Sequence, residues 1–181
     1  MSHVETVAAP YGALAAADHI LGNPQATLTL LEYGDYECPA CIHAEPVVLH
    51  LVELFGTRMR FMFRHYPIKD AHPHAELAAE VAEAAGAQGK FWPMHHLLFL
   101  QQHHLKPAAL ANYAESIGLD MHRFHGEMAN RIYTQRVQEH MRAAEQSNIR
   151  ATPAFFLNGA VVDVSFGLEK LQEAIQAALV P

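Results

Sequence analysis

The chain has 181 residues, of which 51% are hydrophobic and 17% are charged. This composition excludes a largely disordered chain, and a globule of this length buries enough surface to fold without disulfides or a structural metal. The formal net charge of −7 argues against a nucleic-acid partner, because binding to phosphates needs a basic patch. No apolar run reaches the ~18 residues that span a bilayer, so no membrane span is expected.

The first 25 residues predict a loose lead-in that ends at a turn, Gly22-Asn23-Pro24. The segment has no basic region before its alanine-rich patch, and Pro10 and Gly12 interrupt that patch, so no secretory signal is expected. The sequence therefore predicts a cytoplasmic protein, or a periplasmic or extracellular one if a native signal peptide precedes these residues.

The next segment predicts a strand, a helix and a second strand. The β-branched and apolar run over 27–33 predicts a buried strand. Apolar residues at helical spacing then predict a helix that contains Pro46 and ends at Gly56. The alternating residues of 58–66 predict the second strand.

From residue 71 onward the pattern is helical until a final hairpin. The predicted helices lie over 75–87, 91–102, 107–117, 121–128 and 132–146. An Asn158-Gly159 turn between the apolar runs 154–157 and 161–164 predicts a β-hairpin, and a last amphipathic helix follows Gly167.

This order of elements predicts an α/β fold. A right-handed crossover pairs the first two strands in parallel, and the hairpin adds two antiparallel strands. The result is a mixed sheet with helices on both faces, interrupted by an all-helical insertion. The predicted domains are a core formed by residues 1–70 and 146–181 and an insertion formed by residues 71–145.

The two cysteines of the chain, Cys38 and Cys41, lie between the first predicted strand and its helix. Unpaired N–H groups and the helix dipole favour an anion there, so the pKa of Cys38 is expected to fall from ~8.5 into the range of ~3.5–7.5. Cys41 follows one turn later, within disulfide reach. The spacing predicts that Cys38 attacks a disulfide as a thiolate and that Cys41 resolves the mixed disulfide.

Other residues, at fixed distances from the cysteines in the sequence, match the pattern of a known family. Glu32 lies six residues before Cys38, Pro46 lies eight residues after it, and Pro153 follows a threonine near the predicted hairpin. Over about residues 18–181 the sequence resembles the DsbA-like branch of the thioredoxin superfamily, and it is similar to a bacterial subgroup of free-standing members. The resemblance implies a thioredoxin fold with a helical insertion, protein thiol–disulfide oxidoreductase activity and no cofactor.

The resemblance also implies a role for each matched residue. Glu32 would be a buried acid with a raised pKa that exchanges a proton with Cys41. Pro153 would follow a cis peptide bond and face the cysteines, and the chain beside Thr152 would offer a free edge to a substrate peptide. Pro39-Ala40, between the cysteines, would contact the substrate as well.

The dipeptide Pro39-Ala40 departs from the best-known members of the superfamily. It lacks the histidine of strongly oxidising DsbA proteins and the Gly-Pro of thioredoxins. Because Glu37 also adds negative charge beside Cys38, we expect a less extreme thiol pKa and a milder potential. The direction of electron transfer is left open by the sequence.

The implied partners are protein or small-molecule thiols and disulfides, together with a redox partner of the thioredoxin or glutathione type. Two alternatives stay open. The C-x-x-C motif is half of a zinc or iron–sulfur site, which a dimer could complete. The cysteines could also be vestigial in a non-catalytic or glutathione-transferase-like protein with a thioredoxin fold.

Many of the 14 histidines lie close together, and the closest groups are His72-Pro73-His74, His95-His96 and His103-His104. None of these groups has the H-E-x-x-H spacing of a zinc enzyme. Adjacent residues on a helix point about 100° apart, so a pair such as His95-His96 seldom chelates one ion. We therefore expect surface and helix-packing roles for these histidines, and no metal.

Overall fold

The strands form one mixed sheet in the computed structural model, which describes residues 18–180. The five strands are β1 (Ile20–Gly22), β2 (Leu28–Gly34), β3 (Met59–His65), β4 (Ala154–Leu157) and β5 (Ala160–Val162). Their order in the sheet is β1-β3-β2-β4-β5. β2 and β3 are parallel, whereas the other neighbouring pairs are antiparallel. The predicted parallel crossover and the predicted hairpin are both confirmed.

Seven helices complete the fold. α1 (Pro39–Phe55) connects β2 to β3, and α7 (Glu169–Leu179) follows the hairpin. Between β3 and β4 lie α2 (Ala75–Gly86), α3 (Phe91–Leu100), α4 (Pro107–Ser116), α5 (Met121–Ala129) and α6 (Thr134–Gln146). The helical stretches expected from the apolar spacing are thus confirmed, with ends that differ by a few residues. Among the described helices, none is both long and apolar enough to cross a membrane.

The prediction of a loose lead-in over the first 25 residues is wrong for the residues of β1. Ile20–Gly22 forms β1, in which Ile20 lies opposite Met62 of β3. Three residues are too few to show a periodic pattern, and their extended conformation comes from pairing with a strand about forty residues later. The rest of the expected lead-in, residues 1–17, lies outside the described residues.

The core follows the alternation of side chains along β2. Leu28 and Leu30 point into the main apolar cluster, which includes residues of α1, α2, α3 and α7. Leu31 and Tyr33 point to the opposite face, where they pack in a second cluster with Ala144 of α6. Successive side chains of a strand face opposite sides of the sheet, and here each side packs against helices. The predicted helices on both faces of the sheet are therefore confirmed.

The central position of β2 generates a stability prediction. Leu30 is fully buried, so Leu30→Ala should leave a cavity and lower the free energy of unfolding by about 2–5 kcal/mol. Leu54→Ala on α1 is the matched control, since Leu54 is 49% exposed and its loss should cost no more than about 0.5 kcal/mol. Urea unfolding of both variants measures the difference. Similar losses in the two variants would contradict this assignment of the core.

Candidate active site

Both cysteines lie where β2 ends and α1 begins. Cys38 is the N-cap residue of α1, and Pro39 occupies the first helical turn, where its missing N–H costs nothing. Cys38 is 7% exposed and Cys41 is fully buried. Both thiols are free in the structure. Only Cys38 therefore offers its sulfur to a molecule outside the protein.

A buried carboxylate holds the turn that precedes Cys38. The Asp35 Oδ1 accepts a hydrogen bond from the Glu37 amide at 2.8 Å. The Asp35 Oδ2 accepts from the Ile68 amide at 2.7 Å and lies 2.7 Å from the His72 Nδ1. Because Asp35 is almost fully buried, these partners replace the water that its carboxylate loses. The turn is thereby attached to the segment that follows β3.

A glutamine from the helical segment holds the same turn through two further hydrogen bonds. Gln102, just after α3, donates from Nε2 to the carbonyl oxygens of Tyr36 at 3.0 Å and Cys38 at 2.8 Å. Gln102 is buried. The sequence does not single out this residue, because a glutamine sixty-four positions after Cys38 carries no local signal. The helices between β3 and β4 therefore contribute directly to the geometry of the cysteine turn.

The sulfur of Cys38 is surrounded by donors that favour its thiolate. The hydrogen bond from the Cys41 thiol is the largest influence, and donors at Thr152 and the backbone amides of Cys41 and Ala40 add to it. Together they outweigh the cost of burial and lower the pKa of Cys38 to about 5. This value lies within the range expected for a cysteine at a helix N-terminus.

A second segment approaches Cys38 from the start of β4. The peptide bond between Thr152 and Pro153 is cis. The protonated Cys38 thiol donates to the Thr152 carbonyl oxygen at 3.4 Å. The Thr152 hydroxyl is buried without another partner, so it is available as a donor when Cys38 is a thiolate. Two segments 114 positions apart thus meet at one sulfur atom.

The inner side of the site combines a thiol and a carboxyl that resist ionisation. Burial raises the pKa of Cys41, and its hydrogen bond to Cys38 and the charge of Glu32 raise it further. Burial also raises the pKa of Glu32, as do the negative charges of Glu45 and Cys38. The Glu32 Oε1 has no hydrogen-bond partner. Burial and neighbouring negative charge therefore raise the pKa of both groups.

The residues that flank Cys38 and Cys41 along the chain have distinct surroundings. Pro39 and Ala40 are exposed on the first turn of α1, beside the single accessible sulfur. His43 is also exposed, and its Nδ1 lies 2.7 Å from the Pro39 carbonyl oxygen. Glu37, expected to add charge beside Cys38, directs its Oε2 to the His74 amide at 2.6 Å, before the start of α2.

Comparison with known proteins agrees with this geometry. A family model described as Thioredoxin matches residues 15–177. The chain is similar to a thioredoxin-like oxidoreductase from Silicibacter pomeroyi, with a TM-score of 0.80 and 28% identity over 91% of this chain and 93% of that chain. It is also similar to oxidised BdbD from Bacillus subtilis, with a TM-score of 0.80 and 22% identity over 89% and 92% of the two chains. At 22% identity the latter likeness concerns the fold alone.

Curated relatives include much longer proteins. The Na(+)/H(+) antiporter NhaA 1 of Salinispora arenicola is 45% identical over 161 residues, which are 89% of this chain and 24% of that protein. The chain thus spans about a quarter of the length of the curated relatives that it matches. Since the family match and the shared segment each cover most of this chain, the segment in common is the thioredoxin-like part.

The donors around Cys38 generate a prediction about its pKa. Cys41→Ala removes the strongest donor, whereas Cys41→Ser keeps a hydroxyl that can donate in its place. The pKa of Cys38 should therefore be higher in the alanine variant than in the serine variant. The measurement is the rate of alkylation against pH, which rises as the thiolate forms; in the wild-type protein its midpoint should lie near pH 5. Equal midpoints in the two variants would contradict the assigned hydrogen bond.

Proposed function

The chain belongs to the thioredoxin family, whose model matches residues 15–177, and we propose that it is a DsbA-like member that exchanges disulfides with thiol substrates through Cys38 and Cys41. The observation that carries this proposal is the unequal acidity of the two thiols. The pKa of Cys38 falls to about 5, whereas the pKa of Cys41 is raised by burial. One thiol is therefore a nucleophile at neutral pH, and its neighbour stays protonated until it is needed.

The first step is attack by the accessible sulfur. The Cys38 thiolate forms a bond to one sulfur of a substrate disulfide, and the substrate S–S bond breaks. The leaving sulfur departs as a thiolate and takes a proton from solvent. The product is a mixed disulfide between Cys38 and the substrate. Cys38 carries out this step because it is the sulfur that a substrate can reach.

The second step returns the substrate as a thiol. Cys41 loses its proton and attacks the Cys38 sulfur, which breaks the mixed disulfide and releases the second substrate thiol. The substrate gains two electrons and two protons, while Cys38 and Cys41 become a disulfide. The same steps in reverse oxidise a dithiol substrate, so the site works in either direction according to its redox partner.

Glu32 is the proposed proton acceptor for Cys41. The carboxyl group is fully buried, and its charge contributes to the raised pKa of Cys41. A thiol held protonated by burial needs a nearby base when it attacks. The base must itself be ready to release the proton again, and the raised pKa of Glu32 suits this reversible transfer.

Substrate binding is proposed at the exposed rim of the site. Pro39 and Ala40 are exposed on one side of Cys38, and Thr152 and Pro153 lie on the other. An extended substrate chain along the Thr152 backbone would bring its disulfide to Cys38. We also propose that residues 71–145 form the insertion domain, whose Gln102 keeps the Cys38 carbonyl in place.

The proposal rests on the thioredoxin-like segment and not on the antiporter name. That name belongs to proteins of which the shared segment is about a quarter. Protein or small-molecule thiols and disulfides are the proposed substrates, with a redox partner of the thioredoxin or glutathione type. The cytoplasmic location expected from the sequence stays a prediction.

Trapping of the mixed disulfide tests the order of attack. Cys41→Ser incubated with oxidised glutathione should accumulate a species that carries one glutathione on Cys38, because no second thiol resolves it. The wild-type protein should instead form the Cys38–Cys41 disulfide, and Cys38→Ser should stay unmodified at neutral pH. Mass spectrometry of the intact proteins distinguishes these species.

Two further measurements on the isolated protein, its metal content and the reactivity of its thiols, distinguish the alternatives. Zinc or iron bound stoichiometrically to the isolated protein, with both thiols protected from alkylation, would indicate a C-x-x-C metal site. Modification of Cys38 no faster than that of an ordinary thiol of pKa ~8.5 would indicate a non-catalytic protein.

Glu32→Gln tests the proposed proton transfer. The variant keeps the size of the side chain but removes the base, so the attack by Cys41 should slow by about 100-fold, the lower end of what general base catalysis contributes. Stopped-flow release of the second thiol from the mixed disulfide measures this step. Alkylation of Cys38 at pH 8 is the control and should stay within about twofold of the wild type, since the thiolate is fully formed there. A normal rate of release would exclude Glu32 as the base.

A further inference from the structure

Two clusters of potential metal ligands lie among the described residues, and neither contains a cysteine. One consists of Glu45, His95 and His96, and the other consists of His65, Glu83 and His140. In each cluster the candidate ligand atoms all lie within 4.8 Å of one another. The thiol chemistry proposed above uses neither cluster as a reactant.

We propose that Glu45, His95 and His96 form a binding site for a zinc ion. Glu45 lies on α1, one turn after Cys41, and the two histidines lie on α3. The Glu45 Oε2 is 3.2 Å from the His95 Nε2, and its Oε1 is 2.6 Å from the His96 Nδ1. Both imidazole rings therefore contact the same carboxylate group, each through one of its oxygen atoms.

From the sequence, the side chains of adjacent helical histidines are expected to point in different directions. In the structure both rings nevertheless reach Glu45, because they present different nitrogen atoms. His95 reaches Glu45 with its distal Nε2, and His96 reaches it with its proximal Nδ1. The unequal reach of the two atoms compensates for the angle of about 100° between successive residues of a helix.

The ligand set suits zinc better than a harder cation. Two imidazole nitrogens and one carboxylate are a common three-ligand set for zinc, with a fourth position left for water. Calcium and magnesium instead prefer sets made of oxygen atoms. In a tetrahedral site with bonds of 2.0–2.2 Å, neighbouring ligand atoms lie about 3.3 Å apart. The 3.2 Å between the Glu45 Oε2 and the His95 Nε2 already fits that spacing, whereas the 2.6 Å between the Glu45 Oε1 and the His96 Nδ1 must lengthen by about 0.7 Å.

The site is open to solvent on one side. A cavity of about 340 Å³ borders Glu45 and His96, and its remaining lining is apolar. The His96 side chain is 35% exposed, whereas that of His95 is fully buried. An ion can therefore enter through the cavity beside His96, and a water molecule there can supply the fourth ligand.

A tyrosine makes the buried histidine able to change its tautomer. To bind a metal, the His95 Nε2 must lose the proton that it donates to Glu45, and the proton must move to Nδ1. The Tyr36 hydroxyl lies 2.9 Å from the His95 Nδ1. A hydroxyl accepts as readily as it donates, so it can receive a hydrogen bond from the Nδ1–H of the metal-binding tautomer. Such a bond is typical support for a ligating histidine.

In the cluster of His65, Glu83 and His140, the corresponding change of tautomer is blocked at His140. The His140 Nδ1 accepts a hydrogen bond from the His65 backbone amide at 3.2 Å. A backbone amide can only donate, so the proton of neutral His140 stays on Nε2, an atom that is buried without a partner. His140 therefore cannot offer Nε2 to an ion without losing that bond. For this reason the geometry favours the Glu45 cluster.

Zinc titration of a protein without thiols tests the site. The Cys38→Ser/Cys41→Ser double variant removes competing sulfur ligands, and it makes the test independent of the proposed redox function. Competition with a chromophoric chelator should show one bound Zn²⁺ per chain. His96→Gln in that background should lower the affinity at least tenfold. His103→Gln is the matched control, because His103 is an exposed histidine of the same helical segment that lies outside both clusters, and it should leave the affinity unchanged.

A second measurement guards against a folding defect. Zinc should raise the unfolding temperature of the double variant and of the His103→Gln control, because an ion that binds the folded state stabilises it. It should leave the unfolding temperature of His96→Gln unchanged while that variant keeps a native circular dichroism spectrum. Absence of zinc binding in the double variant, or equal affinity with and without His96, would overturn the proposal.

Discussion

The structure depends on the junction at which β2 ends and α1 begins. At this junction a buried strand is followed by a helix whose first backbone amides have no hydrogen-bond partner inside the helix. Cys38 occupies that position as the N-cap residue, so the unpaired donors serve its sulfur. The Cys41 thiol is the strongest donor to that sulfur, and Thr152 and the first backbone amides of α1 add to it, so the pKa of Cys38 falls to about 5.

The junction keeps its conformation because side chains from other parts of the chain form hydrogen bonds to it. The Asp35 carboxylate and the Gln102 amide both form hydrogen bonds that fix the turn, and Thr152 approaches the Cys38 sulfur from the start of β4. Asp35, Gln102 and Thr152 are all buried, and each contributes at least one hydrogen bond to the turn. Buried polar groups that pair in this way define one conformation, because any other arrangement leaves them without partners.

The chemistry of the site arises from unequal surroundings of two equal thiols. Cys38 lies at the boundary with solvent and has several donors, whereas Cys41 lies one turn further in, where burial and the nearby Glu32 raise its pKa. The same helix carries Glu45 another turn onward, and the histidines of α3 meet its carboxylate there. Successive turns of α1 therefore present a thiolate, a buried thiol and a carboxylate, each with a different partner.

The sequence by itself determined the order of the elements and the reactive pair. Apolar periodicity and turn residues are local signals, so they predicted the seven helices, four of the five strands and the place of Cys38 and Cys41. Contacts between distant segments have no local signal, and only the tertiary structure decided them. β1 is extended because it pairs with β3, Gln102 reaches Cys38 from the helical segment, and His95 and His96 converge because Glu45 lies opposite them. In each case the partner is far away in sequence, and packing alone brings the two atoms within hydrogen-bond distance.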